Sequence, residues 1–464
     1  MRQHWEPPMT ARTLHLNAFE NCSPVNISAG LWRHPEDQSH RYKDITYWTE
    51  LAVMLEEAGF DSIFLADVLG MLDVYEGKPD AALRNAIQVP INDPLTVIPA
   101  MAAVTKHLGF AATVSLTYEQ PYAFARKMTS LDHASNGRVG WNIVTSYLDS
   151  AARNLGRGEQ LSHDERYDRG DEFMEVLYKL WEGSWEDDVV VIDKAKGIYV
   201  DPTRVHPIAH HGRYFNVPDA FIAEPSPQRT PVLFQAGSSA RGQTFAATHA
   251  EGVFVHGTRP EVIAPVVANI RASAAAQGRD PRSLKIFAVT TVVAAATDGE
   301  ADEKYAELLS YADYEGAMVQ FAGPLGLDVS KFDPDKPLTD INPNAAHFTR
   351  HLFAGADPDV VWTLRDIAHY MGVGGMGPKF VGSGATIADE MQRWVEIADL
   401  DGFNITYAIR PGTFADTVKY VVPELRRRGL MRPAYAGSTF RESLYGAGQR
   451  QLRDDHPGRK YRRG

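Results

Sequence analysis

The stretch PVLFQAGSSARGQTFAATHAEGVFV, residues 231–255, contains the unit that decides the fold. Two short runs of β-branched and aromatic residues, Val232–Gln235 and Val253–Val255, flank a segment, Ala240–His249, whose apolar residues recur at helical spacing. A strand, a helix and a second strand in this order predict two parallel strands joined by a crossover helix. The stretch therefore predicts an α/β protein.

The same unit recurs along the chain. Eight runs have strand character: Leu14–Phe19, Ser62–Leu65, Phe110–Ser115, Val139–Val144, Val232–Gln235, Val253–Val255, Ile286–Val293 and Phe403–Tyr407. Helical patterns lie between or after them: Tyr47–Glu57, Leu95–Lys106, Tyr122–Asp132, Ala240–His249, Ile263–Ala276, Ala388–Ala398 and Phe414–Arg427. An eight-fold repeat favours a closed (β/α)8 TIM barrel, with an open doubly wound sheet as the alternative.

We expect a single domain over residues 1–464. Two long intervals, approximately 182–230 and 311–381, interrupt the alternation, and an extension of approximately 428–464 follows the last helix. Long segments between barrel units are usually binding loops or lids. The C-terminal extension needs a surface to pack against.

The composition is that of an ordered globular protein, with 44% hydrophobic and 23% charged residues. The net charge of -12 would repel a nucleic-acid backbone, so we expect no nucleic-acid partner. Cys22 is the only cysteine, which excludes an internal disulfide and fits a cytoplasmic location. The apolar runs are too short to span a membrane, so we expect no membrane contact.

Polar residues stand at the ends of several predicted strands. Asp67 follows the second run, Thr113 lies in the third and Asn142 in the fourth. The carboxyl ends of barrel strands carry the active site, so these side chains are candidates for it.

Two further signals suit an anion such as a phosphate. Gly237, Ser238 and Ser239 lie between a strand and a helix, where backbone N–H groups are free. His163 and Tyr167 lie four residues apart at the start of another helix. An ordinary turn and an ordinary surface histidine remain the alternatives.

Three other patterns do not favour a functional site. The run Gly372–Gly377 has the letters of a dinucleotide fingerprint but follows a helical pattern, so we expect a flexible loop. His206, His210 and His211 have metal-compatible spacing in a Pro-rich setting, and we expect no metal. A Gly-x-Ser-x-Gly elbow is absent, so the sequence does not favour an α/β-hydrolase.

Eight strings of the sequence resemble a known family. They are LNAFE (16–20), GLWRHP (30–35), FLADV (64–68), SLDH (130–133), GRVGWNIVTS (137–146), HDERY (163–167), LWEGSW (180–185) and PVLFQAGSS (231–239). Together and in order they resemble the bacterial luciferase-like flavin monooxygenases. The resemblance is to the branch that includes nitrilotriacetate and dibenzothiophene-sulfone monooxygenases, and within it to the dimethyl-sulfide and long-chain alkane members. It implies a TIM barrel.

The resemblance also implies a cofactor and a chemistry. The cofactor is FMN, delivered reduced as FMNH2 by a separate NAD(P)H-dependent FMN reductase, and O2 is activated as a flavin hydroperoxide in a dry pocket. The family residues that hold FMN fall on Asp67, Thr113, Asn142, His163, Tyr167, Ser238 and Ser239. The catalytic positions fall on Asp67, Gln88, Asn142 and Tyr147.

The substrate implied is a small organosulfur or alkyl compound such as dimethyl sulfide, because Tyr147 and its surroundings are similar to the dimethyl-sulfide enzymes. A long-chain alkane is the alternative, and Gln88 is shared with that enzyme. A flavin or deazaflavin binder without oxygenase activity is a third possibility. The relatives imply a homodimer or a homotetramer.

Overall fold

The computed structural model describes residues 13–237, 239–338 and 361–463. The strands, numbered in chain order, are β1 (His15–Asn21), β2 (Ser62–Ala66), β3 (Gly109–Ser115), β4 (Val139–Val144), β5 (Val190–Asp193), β6 (Ile198–Val200), β7 (His210–His211), β8 (Asn216–Val217), β9 (Val232–Gln235), β10 (Gly252–Val255), β11 (Lys285–Ala295), β12 (Lys379–Ser383) and β13 (Gly402–Thr406). The α-helices are Ile45–Ala58, Asp80–Arg84, Ile98–Val104, Pro121–Ala134, Asp149–Asn154, His163–Tyr178, Ala240–His249, Pro260–Ala276, Asp298–Ser310, Tyr314–Leu325, Leu364–Met371, Gly384–Ala398, Gly412–Asp416, Val422–Arg427 and Phe440–Tyr445.

Eight parallel strands close into a barrel. Their order is β10-β9-β4-β3-β2-β1-β13-β11, and β10 pairs back onto β11 with Gly252 opposite Lys285. All eight predicted runs lie in these strands, so the prediction of a TIM barrel is confirmed and the open sheet is excluded. The sequence did not predict β12, which extends the sheet beyond the long β11, with Thr291 opposite Lys379.

An aromatic cluster fills the barrel interior. Phe64, Phe234, Phe254 and Phe287 point inward from four strands and pack with Phe440 of the C-terminal extension. Phe440 closes the end of the barrel where the strands begin. A Cβ on Gly109, the first residue of β3, would lie 2.5 Å from the Phe440 ring, so this contact requires glycine.

The C-terminal extension is anchored by a buried ion pair. Arg441, fully buried, donates to both carboxylate oxygens of Glu251 at 2.7 and 2.9 Å, and to the Thr230 carbonyl at 2.9 Å. Further along, Arg462 donates to Glu182 at 3.1 Å. The extension therefore packs on the barrel of its own chain.

The opposite end of the barrel is covered by two helices, Tyr314–Leu325 and Leu364–Met371, which we call the cap. They share an apolar cluster with Val25, Leu72, Ile87 and Leu148, which lie in loops after β1, β2 and β4. The predicted insertion 311–381 thus lies over the carboxyl ends of the strands; its residues 339–360 are outside the described part. The predicted insertion 182–230 contains the hairpins β5–β6 and β7–β8.

Candidate active site

The N-terminus of the helix Ala240–His249 brings together two predicted site residues that are 76 positions apart. Ser239 is the N-cap, and its Oγ accepts from the Gly242 N–H at 3.0 Å. The same Oγ lies 3.1 Å from His163 Nε2. His163 Nδ1 lies 2.8 Å from Asp164 Oδ1, so the imidazole bridges this carboxylate and the Ser239 hydroxyl.

Tyr167 completes this end of the site. Its ring lies edge-on to that of His163 with centroids 5.2 Å apart, and burial raises the pKa of its hydroxyl, which stays a donor. A Cβ on Gly242 would lie 2.7 Å from the Tyr167 Oη. The helix N-terminus, two hydroxyls and an imidazole therefore lie together, an arrangement that suits an anion. The fourth residue predicted here, Ser238, lies outside the described residues.

Thr113 and Asn142 form a second part of the site, inside the barrel. They are register partners on β3 and β4, and Asn142 Nδ2 donates to Thr113 Oγ1 at 3.0 Å. Each is only 4% exposed, and Asn142 Oδ1 has no hydrogen-bond partner among the residues that the structure describes. An unpaired buried acceptor costs about 1–3 kcal/mol, so its retention indicates a ligand that donates an N–H or O–H here.

Asp67 follows β2 at the same edge of the barrel. Desolvation, together with the nearby charge of Asp93, raises its pKa to about 7. A strongly shifted carboxyl group at the strand ends is typical of a functional site. Near neutral pH this side chain can therefore donate as well as accept a hydrogen bond.

Gln88 and Tyr147 lie in the loops that follow β2 and β4. Gln88 has a left-handed backbone with φ 51°, and so does Ser146, just before Tyr147, with φ 56°. Arg166 donates to the Ser146 carbonyl at 2.7 Å and supports that turn. Tyr147 is 46% exposed, and desolvation raises the pKa of its hydroxyl to about 12. Strained backbone of this kind clusters at functional sites.

Two further features were not predicted. His256 directly follows β10, and desolvation lowers the pKa of its imidazole. The strand-end rule that selected Asp67 would also have selected it. The other feature is a buried ion pair between Glu20 and Arg410, neither of which has any exposed surface.

The Glu20–Arg410 pair shapes the first loop of the barrel. Arg410 also donates to the carbonyls of Asn21 and Ser23, both at 2.6 Å. Tyr47 donates to the remaining Glu20 oxygen at 2.8 Å. These bonds hold the chain that leaves β1 against the end of β13. No local pattern connects residues 390 positions apart, so the sequence did not reveal the pair.

The weaker candidates do not form sites. His206 lies 2.7 Å from Glu186, His210 lies 3.3 Å from Glu172, and His211 lies 2.6 Å from Asn216, so the three histidines have separate partners. Over residues 13–237, 239–338 and 361–463, no group of side chains could hold a metal ion. No helix within those ranges is long and apolar enough to cross a membrane.

The glycine-rich run Gly372–Gly377 follows the helix Leu364–Met371 rather than a strand. It therefore lacks the strand, loop and helix order of a dinucleotide site. Lys379 donates to the carbonyls of Gly375 and Gly377 at 2.7 and 2.8 Å. These bonds tie the run to the start of β12.

Comparison with known proteins agrees with this geometry. The profile of the luciferase-like monooxygenases matches residues 27–400. The chain is 48% identical to dimethyl-sulfide monooxygenase of Hyphomicrobium sulfonivorans over 96% of this chain and 93% of that protein. It is 47% identical to long-chain alkane monooxygenase of Geobacillus thermodenitrificans over 97% of this chain and 98% of that protein.

One similar solved structure contains a flavin. The crystal structure of riboflavin lyase with modified FMN and riboflavin has a TM-score of 0.89 and 40% identity, covering 98% of this chain and all (100%) of that chain. The barrel, the strand-end polar groups and these relatives agree. The chain belongs to the luciferase-like monooxygenase family and is a flavin-dependent monooxygenase.

Proposed function

We propose that this chain is the oxygenase component of a two-component system and oxidises a small organosulfur or alkyl compound such as dimethyl sulfide. Its co-substrates are O2 and reduced FMN, which a separate NAD(P)H-dependent FMN reductase supplies. The observation that carries the proposal is the buried, unpaired Asn142 Oδ1 beside Thr113 at the strand ends. The 48% identity with a dimethyl-sulfide monooxygenase supports the substrate class.

The residues present fit FMN. Asn142 Oδ1 would accept from a ring N–H of the flavin, and Asp67, neutral for part of the time at pH 7, would donate to a ring acceptor. Ser239, His163, Tyr167 and the N-terminus of the helix Ala240–His249 would bind the phosphate. Ser238 joins this proposed phosphate site on the resemblance alone.

Bound reduced flavin supplies two electrons to O2, so that one oxygen atom enters the substrate and the other leaves as water. The protein positions the reactants and excludes water. We assign Gln88 and Tyr147 to the substrate side of the cleft, where the amide and the phenol would orient the substrate. Asp67 would hold a proton beside the flavin.

The test uses purified protein with chemically reduced FMN, dimethyl sulfide and 18O2, without any reductase. The expected result is oxidised product that carries one 18O atom, formed with turnover, and loss of that product in Asp67→Ala. The control is Arg126→Met, which changes an exposed arginine on the helix Pro121–Ala134. Tight FMN binding without 18O in any product would instead favour a flavin binder without oxygenase activity.

A long-chain alkane is the second candidate, because the identity with the alkane enzyme, 47%, nearly equals that with the dimethyl-sulfide enzyme, 48%. Hexadecane in the same assay decides between them.

We further propose a single domain, a homodimer or homotetramer, and a cytoplasmic location. The dependence on reductase-supplied FMN supports the location, and light scattering after gel filtration measures the oligomer.

A further inference from the structure

Two residues with amide side chains that the proposed flavin site does not use are hydrogen-bonded neighbours at the cap. Asn26 lies in the loop after β1, and Gln320 lies on the cap helix Tyr314–Leu325. Gln320 Nε2 donates to the Asn26 carbonyl at 2.7 Å. Gln88 is next to them, because Val25 forms a β-bridge with Ile87 and accepts from the Gln88 N–H at 3.0 Å.

Within residues 13–237, 239–338 and 361–463, each of the two amides keeps one buried polar atom without a hydrogen-bond partner. On Asn26 this atom is the donor Nδ2, and on Gln320 it is the acceptor Oε1. Buried polar groups in native proteins are nearly always paired with protein, water or ligand. An unpaired donor and an unpaired acceptor on bonded neighbours therefore indicate a bound group that both accepts and donates a hydrogen bond.

These amides lie at the same end of the barrel as the proposed active site. The Asn26 N–H donates to the Tyr407 hydroxyl at 3.1 Å, which ties it to the carboxyl ends of the barrel strands. From residue 316 to residue 323 the cap helix is buried at every position except Gln320, which is half-buried. Leu148, the neighbour of Tyr147, packs in the same apolar cluster as Val25.

The electrostatic surroundings disfavour an anion. Cys22 lies four residues before Asn26. Arg410 lowers the pKa of its thiol, whereas three acids raise it: Glu20, Asp67 and Asp93. Arg410 is already paired with Glu20. Within the described residues, no lysine or arginine side chain donates a hydrogen bond to the side chains of Asn26, Gln88 or Gln320. A buried carboxylate would lack a counter-charge here.

We propose that Asn26 and Gln320 bind a neutral polar group of the substrate, a hydroxyl or an amide, which accepts from Asn26 Nδ2 and donates to Gln320 Oε1. The inference rests on the proposed function and narrows it. The preferred substrate is a small sulfide that carries such a group, rather than dimethyl sulfide itself or a carboxylated compound.

The experiment compares kcat/KM, with reduced FMN and O2, for dimethyl sulfide, 2-(methylthio)ethanol and 3-(methylthio)propionate. The alcohol is expected to exceed dimethyl sulfide at least tenfold, and the carboxylate to be the poorest substrate. Equal values for the alcohol and dimethyl sulfide, or preference for the carboxylate, would overturn the inference and leave the proposed function standing. Failure to oxidise any sulfide would instead overturn the proposed organosulfur substrate.

Two variants test whether the preference for the alcohol over dimethyl sulfide depends on Gln320. Gln320→Leu removes the acceptor, so the ratio of the alcohol to dimethyl sulfide in kcat/KM should fall to about one. Gln392→Leu is the matched control, because Gln392 is exposed on another helix and bonds only to Glu396. Its ratio should equal that of the unchanged protein. A preserved alcohol preference in Gln320→Leu would contradict the assignment.

Discussion

Removing Arg410 should destabilise the protein strongly, because it leaves Glu20 charged in a fully buried position. Glu20 would keep only the Tyr47 hydroxyl at 2.8 Å and the Asn21 N–H at 3.3 Å. Breaking a buried ion pair from one side costs about 3–5 kcal/mol. An unfolding entropy of about 2.1 cal/mol/K per residue over 464 residues gives about 1 kcal/mol/K. Arg410→Met should therefore lower Tm by about 3–5 °C at pH 8.

The loss of Tm in Arg410→Met should increase as the pH rises. Burial already raises the pKa of Glu20, and loss of Arg410 raises it further above the unfolded value. A carboxyl group with a raised folded pKa destabilises the folded state as pH rises, and causes no penalty below the unfolded pKa. Calorimetric scans should thus show a smaller difference in Tm between Arg410→Met and the unchanged protein at pH 5 than at pH 8.

Two comparisons make the test decisive. The double variant Glu20→Gln with Arg410→Met removes both charges and should recover at least half of the lost Tm. Arg365→Met breaks the exposed pair with Asp335, whose side chains are 61% and 64% exposed, and should change Tm by about 1 °C or less. The reasoning is refuted if the double variant is no more stable than Arg410→Met, or if Arg410→Met behaves like Arg365→Met.

Three further predictions concern the site and the closed end of the barrel. Asp67→Ala should abolish turnover without changing Tm. Because the pKa of Asp67 is about 7, the FMN affinity of the unchanged protein, measured by calorimetry, should fall from pH 6 to pH 8 as Asp67 loses the proton that it would donate to the flavin ring, and in Asp67→Asn it should not. Ser239→Ala should weaken FMN binding only about fivefold, about 1 kcal/mol, if backbone N–H groups bind most of the phosphate, whereas a hundredfold loss would contradict this. Arg441→Met should lower Tm by about 3–5 °C, because it leaves Glu251 buried without its counter-charge. The FMN affinity should not change. A changed FMN affinity would show that the two ends of the barrel are coupled.

Much of the barrel could be predicted because its information is local. Each strand and helix pair, such as Val232–Gln235 with Ala240–His249, carries its own periodicity. Strand β12 was missed because it follows a glycine-rich run and does not continue the predicted alternation. The predicted helix Phe414–Arg427 is divided by a π-turn at Thr417–Val421, which local patterns do not reveal.

Part of the candidate site could also be predicted from the sequence. Topology alone places the carboxyl ends of parallel strands together, so Thr113 and Asn142 could be selected as neighbours from their positions, and they are hydrogen-bonded. The resemblance joined His163 to Ser239, and these side chains meet at 3.1 Å. Their roles toward a flavin remain predictions.

The sequence by itself determined the alternation of strands and helices, the barrel and the polar strand ends, since these depend on residues close together in the chain. Only the tertiary structure decided which distant groups meet. Glu20 pairs with Arg410, Asn26 with Gln320, and Phe440 closes the barrel from the other terminus. Such contacts depend on how loops and insertions pack, and hydrogen bonds across hundreds of residues leave no periodic trace in the sequence.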